Sequence, residues 1–546
     1  MKKQWLVSSA LVATSVLLVA CGAKQSSSTT KQKLNLSVVS EIETLDPSHA
    51  SDTTSMEQLE NTGEGFLQLG KNSKIEKELA TNIKESKDGK TYTFDLRHNA
   101  KWNDGRKLTA QDFVYGWQRT INPKTASEYA YLYSGIKNAD AIMNNKKNYK
   151  TLGIKAVGKY RVVVNLDHPI SYFKLLMAMP VFYPQQQAAV QKYGKRYGTS
   201  YKYVASNGPF VLKGWNGTNN TWKLVRNTNY WDKKHVKLSA INFQVVKSPT
   251  TALNLYETGK LDQTQLFDQQ VKNKKNSSDF VLNKNASMVY LQMNMKAQNA
   301  TLRKAYNNVN IRKALSLSLD RKQLVNNVLG DGSLAPKGFV TTGLAKNPTT
   351  GEDFAKESSV KSTVSYNLTT AKKYWKKGLA EIGAKSLSMT LLADDTDTTK
   401  QVAEYVQGQW KKLGNMNVTL SNVPVKTRID RSSKGNFQVV VSGWGADFSD
   451  PVTFLNLYDK GNSGNAGNWN NTTYNQLLTK INGADSTNAK QRWADMVKAE
   501  KILMTQQATI PLYQKSNAFL QNKKIKGLIT NSAGPMHNFK FVSMSH

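Results

Sequence analysis

The stretch FQVVVSGWGADFSDPVTFL, Phe437 to Leu455, constrains this chain more than any other. Phe437 to Ser442 is a short apolar run rich in valine, the pattern of a buried strand. Gly443 and Gly445 are expected to break that strand on either side of Trp444, which leaves an aromatic ring and the Asp447 carboxylate just beyond its carboxyl end. Asp450 is expected to cap a following helix, with Pro451 at its first position and Val452 onward inside it. In open α/β sheets ligands bind in the crevice outside the carboxyl ends of the strands. A single acid beside a tryptophan in such a loop suits a ligand with one positive charge and an extended backbone. An ordinary helix start with a surface aspartate fits the same local pattern.

The rest of the chain supplies alternating strands and helices. Lys33 to Val39 alternates as a first strand, and Met56 to Leu69 has helical spacing. Within the latter, Gly65 to Asn72 nearly fits a phosphate-binding loop. Asn72 stands where a Mg²⁺-holding hydroxyl belongs, and Phe66, Leu67 and Leu69 are wrong for a loop of bare backbone N–H groups. Tyr92, Phe94 and Leu96 share one strand face. After the turn Trp102-Asn103-Asp104-Gly105, Thr109 is placed to cap a helix with Asp112 three residues on, and Leu108 to staple against Phe113. Phe113, Val114, Trp117 and Ile121 then recur at helical spacing, as a core stripe does. Leu387 to Leu392, Thr398 to Leu413 and Met416 to Val423 read as a strand–helix–strand unit feeding the strand at Phe437. Lys346 to Lys361, polar with Pro348 and Gly351, reads as a surface loop.

The amino terminus bears Lys2 and Lys3, an uncharged, largely apolar run from Trp5 to Ala20, and the chain's one cysteine, Cys21, directly after Leu18-Val19-Ala20. That is the layout of a secretory signal. Leu-Val-Ala-Cys resembles the lipobox of bacterial lipoproteins, which implies lipidation of Cys21, membrane attachment through that lipid and a place on the extracellular face of the cell membrane. Gly22 to Lys33, GAKQSSSTTKQK, reads as a flexible tether. The formal charge of +36 becomes +34 once Lys2 and Lys3 leave with residues 1–20. The lysines are spread along the whole chain with no RNP, zinc-finger or helix-turn-helix pattern beside them, so no nucleic-acid partner is expected; an anionic envelope accounts for the charge.

No constellation of catalytic residues is evident. The six histidines are scattered, with no pair at metal-ligand spacing, and neither HExxH nor GxSxG occurs. A binding protein without metal or cofactor is therefore expected, although a hydrolase assembled from residues distant in sequence stays open.

Asp88 to Arg119, DGKTYTFDLRHNAKWNDGRKLTAQDFVYGWQR, resembles the signature region of the extracellular solute-binding proteins, family 5, that serve peptide ABC transporters. Ser206 to Phe210 with Leu224 to Trp231, Asn310 to Asp320 with Arg321 to Leu329 capped at Gly330, and Ile510 to Leu512 through Phe541 resemble further parts of that family, so the likeness covers most of the chain. It implies a two-lobed α/β fold with a hinge and an extra inserted α/β domain, in three discontinuous domains. The expected division is 1–20 signal peptide, 21–33 tether, 34–64 first part of lobe 1, 65–190 inserted domain, 191–290 second part of lobe 1, 291–505 lobe 2 and 506–546 return to lobe 1. It implies a monomer that closes on an oligopeptide and hands it to the permease subunits of an ABC importer. Asp447 is then the partner of the peptide's α-ammonium, with main-chain contacts from Gly443, Trp444, Gly445 and the Ser51-Asp52-Thr53 edge. Relatives that favour short peptides carry an arginine just before the Gly-Trp; Val439-Val440-Val441 stands here instead, so Arg428 and Arg431 are the nearest cations for a ligand carboxylate and longer peptides are admitted. A nickel chelate or haem cargo, and a cationic surface adhesin, are the alternatives.

Overall fold

The computed structural model describes residues 32–267, 269–533 and 537–545. The signal segment and Cys21 lie outside the described residues. Ten strands form one mixed sheet: β1 (Lys33–Val38), β2 (Phe210–Lys213), β3 (Thr221–Arg226), β4 (Ala240–Val245), β5 (Gln263–Leu266), β6 (Phe280–Met293), β7 (Leu387–Asp394), β8 (Met416–Val423), β9 (Val439–Gly445) and β10 (Ile510–Gln521). Their order is β8-β7-β9-β6-β10-β5-β1-β4-β3-β2. Strands β8, β7 and β9 run parallel, as expected of the strand–helix–strand unit, whose helix spans Asp397–Lys411. Strands β6 and β10 are the long pair between the two halves of the sheet, and their register shifts between Lys284 and Met288.

At the β1–β4 end, inward residues Leu36, Leu212, Trp222, Leu224 and Phe243 close a core with Val542 from the carboxyl tail. A separate antiparallel sheet, Ala80–Glu85, Thr91–Leu96, Arg161–Asn165 and Ile154–Ala156, is built entirely from chain between β1 and β2. Its core is Phe66, stacked on Phe94 of the sheet at 4.1 Å and on Phe113 of helix α2 (Ala110–Ile121) at 3.8 Å. The Thr109–Asp112 box opens α2, with the Thr109 N–H donating to the Asp112 carboxylate at 2.7 Å. The stripe Phe113, Val114, Trp117 and Ile121 is buried.

Four expectations are corrected. The helix read over Met56 to Leu69 is α1, Thr53–Thr62, and Leu67–Leu69 is a strand paired with Ile75–Lys77. Helical spacing gives way because Gly63 and Gly65 lie against the Tyr183 ring, where an added Cβ would sit 2.8 and 2.7 Å from it, and because Phe66 turns into the aromatic stack. The tether call, Gly22 to Lys33, lies outside the described residues up to residue 31, and β1 begins at Lys33 as the alternation there suggests. Lys346 to Lys361 is not a plain surface loop: Phe354 is buried edge-on against Trp493 at 5.1 Å. Gly443 and Gly445 do not break their strand, because β6 carries the ladder on to Ser287–Gly445. The helix after Pro451 is only Val452–Leu455; Pro451 holds the cap position, and Asp450 accepts the Val452 N–H at 3.0 Å.

Candidate functional site

Strand β9 is held on one side by β6 along its whole length, from Val439–Met293 to Gly445–Ser287. On the other side β7 reaches only Val439 and Val440. From Val441 to Gly445 that edge has no backbone partner among the described residues. Glycine is not demanded there by the fold: neither Gly443 nor Gly445 has a positive φ, and a Cβ on Gly445 would meet nothing within 4 Å. An open strand edge with small residues is the geometry that admits another extended backbone. Trp444 is half-buried opposite Met288, and its indole N–H has no partner among the described residues.

Beyond this edge the Ala446 N–H donates to Ala286 and the Asp447 N–H to the Thr453 hydroxyl at 3.3 Å, which fixes the turn. Asp450 takes a bidentate pair from Arg492 of helix α3 (Ala489–Thr505) at 2.8 and 2.9 Å. Phe448 stacks on Tyr172 at 4.5 Å, and Tyr131 donates to the Asp447 carboxylate at 3.3 Å. Residues of the 65–190 segment thus cover the loop from across the cleft.

Asp447 has no cation partner among the described residues. Burial pushes its carboxyl up to about 6, against the Tyr131 hydrogen bond that works to lower it. Burial and the neighbouring Asp447 charge hold the Tyr131 phenol well above its ordinary range. Tyr129 is raised by burial, then by Asp447, Glu128 and Asp52. A carboxylate kept from water and without a counter-ion is a site for a cation.

Ser51, Thr53, Gly445 and Asp447 line one cavity of about 280 Å³, together with Tyr129 and Lys284. A chamber of about 850 Å³ adjoins it, sharing Asn283, Lys284, Asn531 and Ser532. Asp52 caps α1, its Oδ1 accepting the Ser55 N–H at 2.8 Å while Oδ2 has no partner among the described residues. Arg428 and Arg431 lie on the helix Val425–Ser433 and line neither cavity. Arg431 is exposed and donates to Ser421 at 3.3 Å. Arg428 is half-buried, its Nε has no partner among the described residues, and its charge reaches Tyr290, the cross-strand neighbour of Ser442. Among the described residues no group of three or more His, Cys, Asp or Glu is placed to hold a metal ion, and no helix is long and apolar enough to cross a membrane.

The model of the bacterial extracellular solute-binding proteins, family 5 (Middle), matches residues 74–466. The chain belongs to this family. A dipeptide-binding protein of Lactococcus lactis subsp. cremoris is 37% identical to it over 544 residues, 98% of each chain. Oligopeptide-binding protein OppA of Bacillus subtilis is 31% identical over 558 residues, 98% of this chain and 99% of the relative. The solved structure of Listeria monocytogenes OppA bound to peptide matches at a TM-score of 0.78 and 37% identity, covering 95% of this chain and 100% of that one. This family-5 protein therefore has the two-lobed α/β fold, in a family of solute-binding proteins rather than enzymes.

Sequence reasoning missed Tyr129, Tyr131 and Tyr172, which meet the loop only through folding. Tyr129, Tyr131 and Tyr133 stand at alternate positions, which in a strand would share one face, but Ala130–Tyr133 is a 3₁₀ turn that separates them. Tyr133 is fully buried while Tyr131 is 49% exposed.

Proposed function

We propose that this protein captures oligopeptides between its lobes and delivers them to an ABC-type peptide importer. The observation that carries this is the Asp447 carboxylate: half-buried, without a cation partner among the described residues, and at the end of an open strand edge. A peptide added antiparallel along Gly445 to Val441 brings its α-ammonium to Asp447, while Ser51 and Thr53 contact it from the other lobe. For its carboxyl end we keep Arg428 and Arg431, on the helix Val425–Ser433 that precedes β9, as the cations on offer. Peptide-binding relatives and a peptide-bound structural neighbour favour this cargo over a metal chelate, haem or an adhesive role. The register shift between Lys284 and Met288 is where we place the hinge, with the lobes divided as the sequence suggests. Attachment to the outer face of the membrane through a lipid on Cys21 completes the assignment; it rests on the Leu18-Val19-Ala20-Cys21 sequence.

Calorimetry with peptides of free and acetylated amino terminus tests the site. Removing one member of a buried charge pair costs about 2–5 kcal/mol, roughly 30- to several-thousand-fold in affinity. Asp447→Ala, and acetylation with the wild type, should each lose that much. Equal affinity for the free and acetylated forms removes Asp447 from the role.

A further inference from the structure

The 850 Å³ chamber is not explained by a peptide backbone lying on β9. It sits past Asp447 on the side away from the open edge: Ser449, Asp450 and Arg492 line it, whereas Ser442 and Gly443 do not. It is also large, toward the upper end of the roughly 300–1,000 Å³ typical of ligand pockets.

Its charge is lopsided. Four cations line it, Lys174, Lys284, Lys346 and Arg492, against two carboxylates, Glu85 and Asp450. Both carboxylates are already engaged, Glu85 by Lys174 at 2.8 Å and Asp450 by Arg492 at 2.8 Å. Lys284 and Lys346 form no ion pair among the described residues. Lys284 stands at the junction, lining both the Asp447 cavity and the chamber. The cleft thus has a negative site for a ligand ammonium and, next to it, a chamber with two uncompensated positive charges.

We propose that this chamber receives the side chain of an amino-proximal residue of the bound peptide and favours a carboxylate there, with Lys284 and Lys346 as counter-charges. The proposal rests on the peptide-binding role given above. Because both lysines are exposed, the preference is modest, about two- to fivefold for each charge pair. It is also screened by salt, unlike the partly buried Asp447 contact.

The test is a synthetic pentapeptide mixture with free amino termini, each position randomised over alanine, leucine, glutamate, glutamine and lysine. The full-length protein captures it, and mass spectrometry reads what is retained. Enrichment of glutamate over glutamine, and depletion of lysine, is expected at the first or second position. It should vanish in the Lys284→Gln/Lys346→Gln double variant and at 0.5 M salt, with thermal melting unchanged. No charge preference at those positions, a preference confined to the carboxyl end, or one that survives the double substitution overturns the proposal. Failure of the peptide role looks different: no peptide is retained, or an acetylated mixture is retained equally well.

Discussion

If Asp447 holds the peptide's ammonium, affinity must follow the protonation of that acid. In the ligand-free protein burial raises the carboxyl to about 6, with only the Tyr131 hydroxyl to favour its charged form. The ammonium selects the carboxylate and draws its pKa down in the complex, so affinity is full above about pH 6 and falls as the pH drops through it. With a pKa of about 6 the ionised fraction is about 0.9 at pH 7 and about 0.1 at pH 5, roughly a tenfold loss worth about 1.4 kcal/mol. Above about pH 8 the peptide's own α-amino group deprotonates and affinity falls again. Calorimetry at constant ionic strength from pH 5 to 9 should trace this bell with a free-amino peptide. An acetylated peptide, or Asp447→Asn with either peptide, should give a low, flat line between pH 5 and 7. The linkage to folding has the opposite sense. A carboxyl raised in the folded state stabilises it below the unfolded value near 4, and that contribution is lost as pH rises through about 6. At pH 7 the ligand-free Asp447→Asn protein should therefore melt higher than the wild type, by up to about 3 kcal/mol in stability, and at pH 4 it should not. Affinity independent of pH between 5 and 7 for a free-amino peptide refutes the reasoning.

Three further outcomes follow from the same geometry. Gly445→Ala should leave stability within about 0.5 kcal/mol, since its Cβ meets no protein atom, yet weaken peptide binding by crowding the backbone laid against that strand; unchanged calorimetric affinity places the peptide elsewhere. Tyr172→Ala removes the 4.5 Å stack on Phe448, and because such a pair contributes about 0.5–1.5 kcal/mol beyond burial, peptide dissociation in stopped-flow fluorescence should accelerate about two- to twelvefold. Arg492→Ala strands the Asp450 carboxylate and should cost about 3–5 kcal/mol in urea unfolding, most of it recovered when Asp450→Asn and Arg492→Met are combined.

Local rules carried the fold where the pattern was long and periodic. The α2 stripe, the Thr109–Asp112 box and the β7–helix–β8 unit follow from spacing and capping chemistry alone, and burial merely executes them. They failed where a distant partner decided. Gly443 and Gly445 look like strand breakers until β6 pairs with them, and β6 lies about 150 residues earlier in the chain. Met56 to Leu69 looks helical until Tyr183 packs over Gly63 and Gly65. Phe354 looks like loop until Trp493 covers it.

The site divides in the same way, and for a reason tied to what a closing cleft requires. A carboxylate at a strand's end is encoded in nine consecutive residues, so Asp447 could be singled out from the sequence. What makes it a site for a cation is its desolvation, and its neighbours there come from a distant part of the chain: Tyr131 donates to it and Tyr129 lines the same cavity. No periodic pattern of burial marks those tyrosines, because Tyr129 and Tyr131 stand in and beside a short 3₁₀ turn and Tyr172 beside a single helical turn. The same holds for Lys284, one of 75 lysines and arginines in the sequence. It stands apart only because the strand that carries it passes between two cavities, in which the carboxylates Glu85 and Asp450 are already paired and Asp447 is left for the ligand.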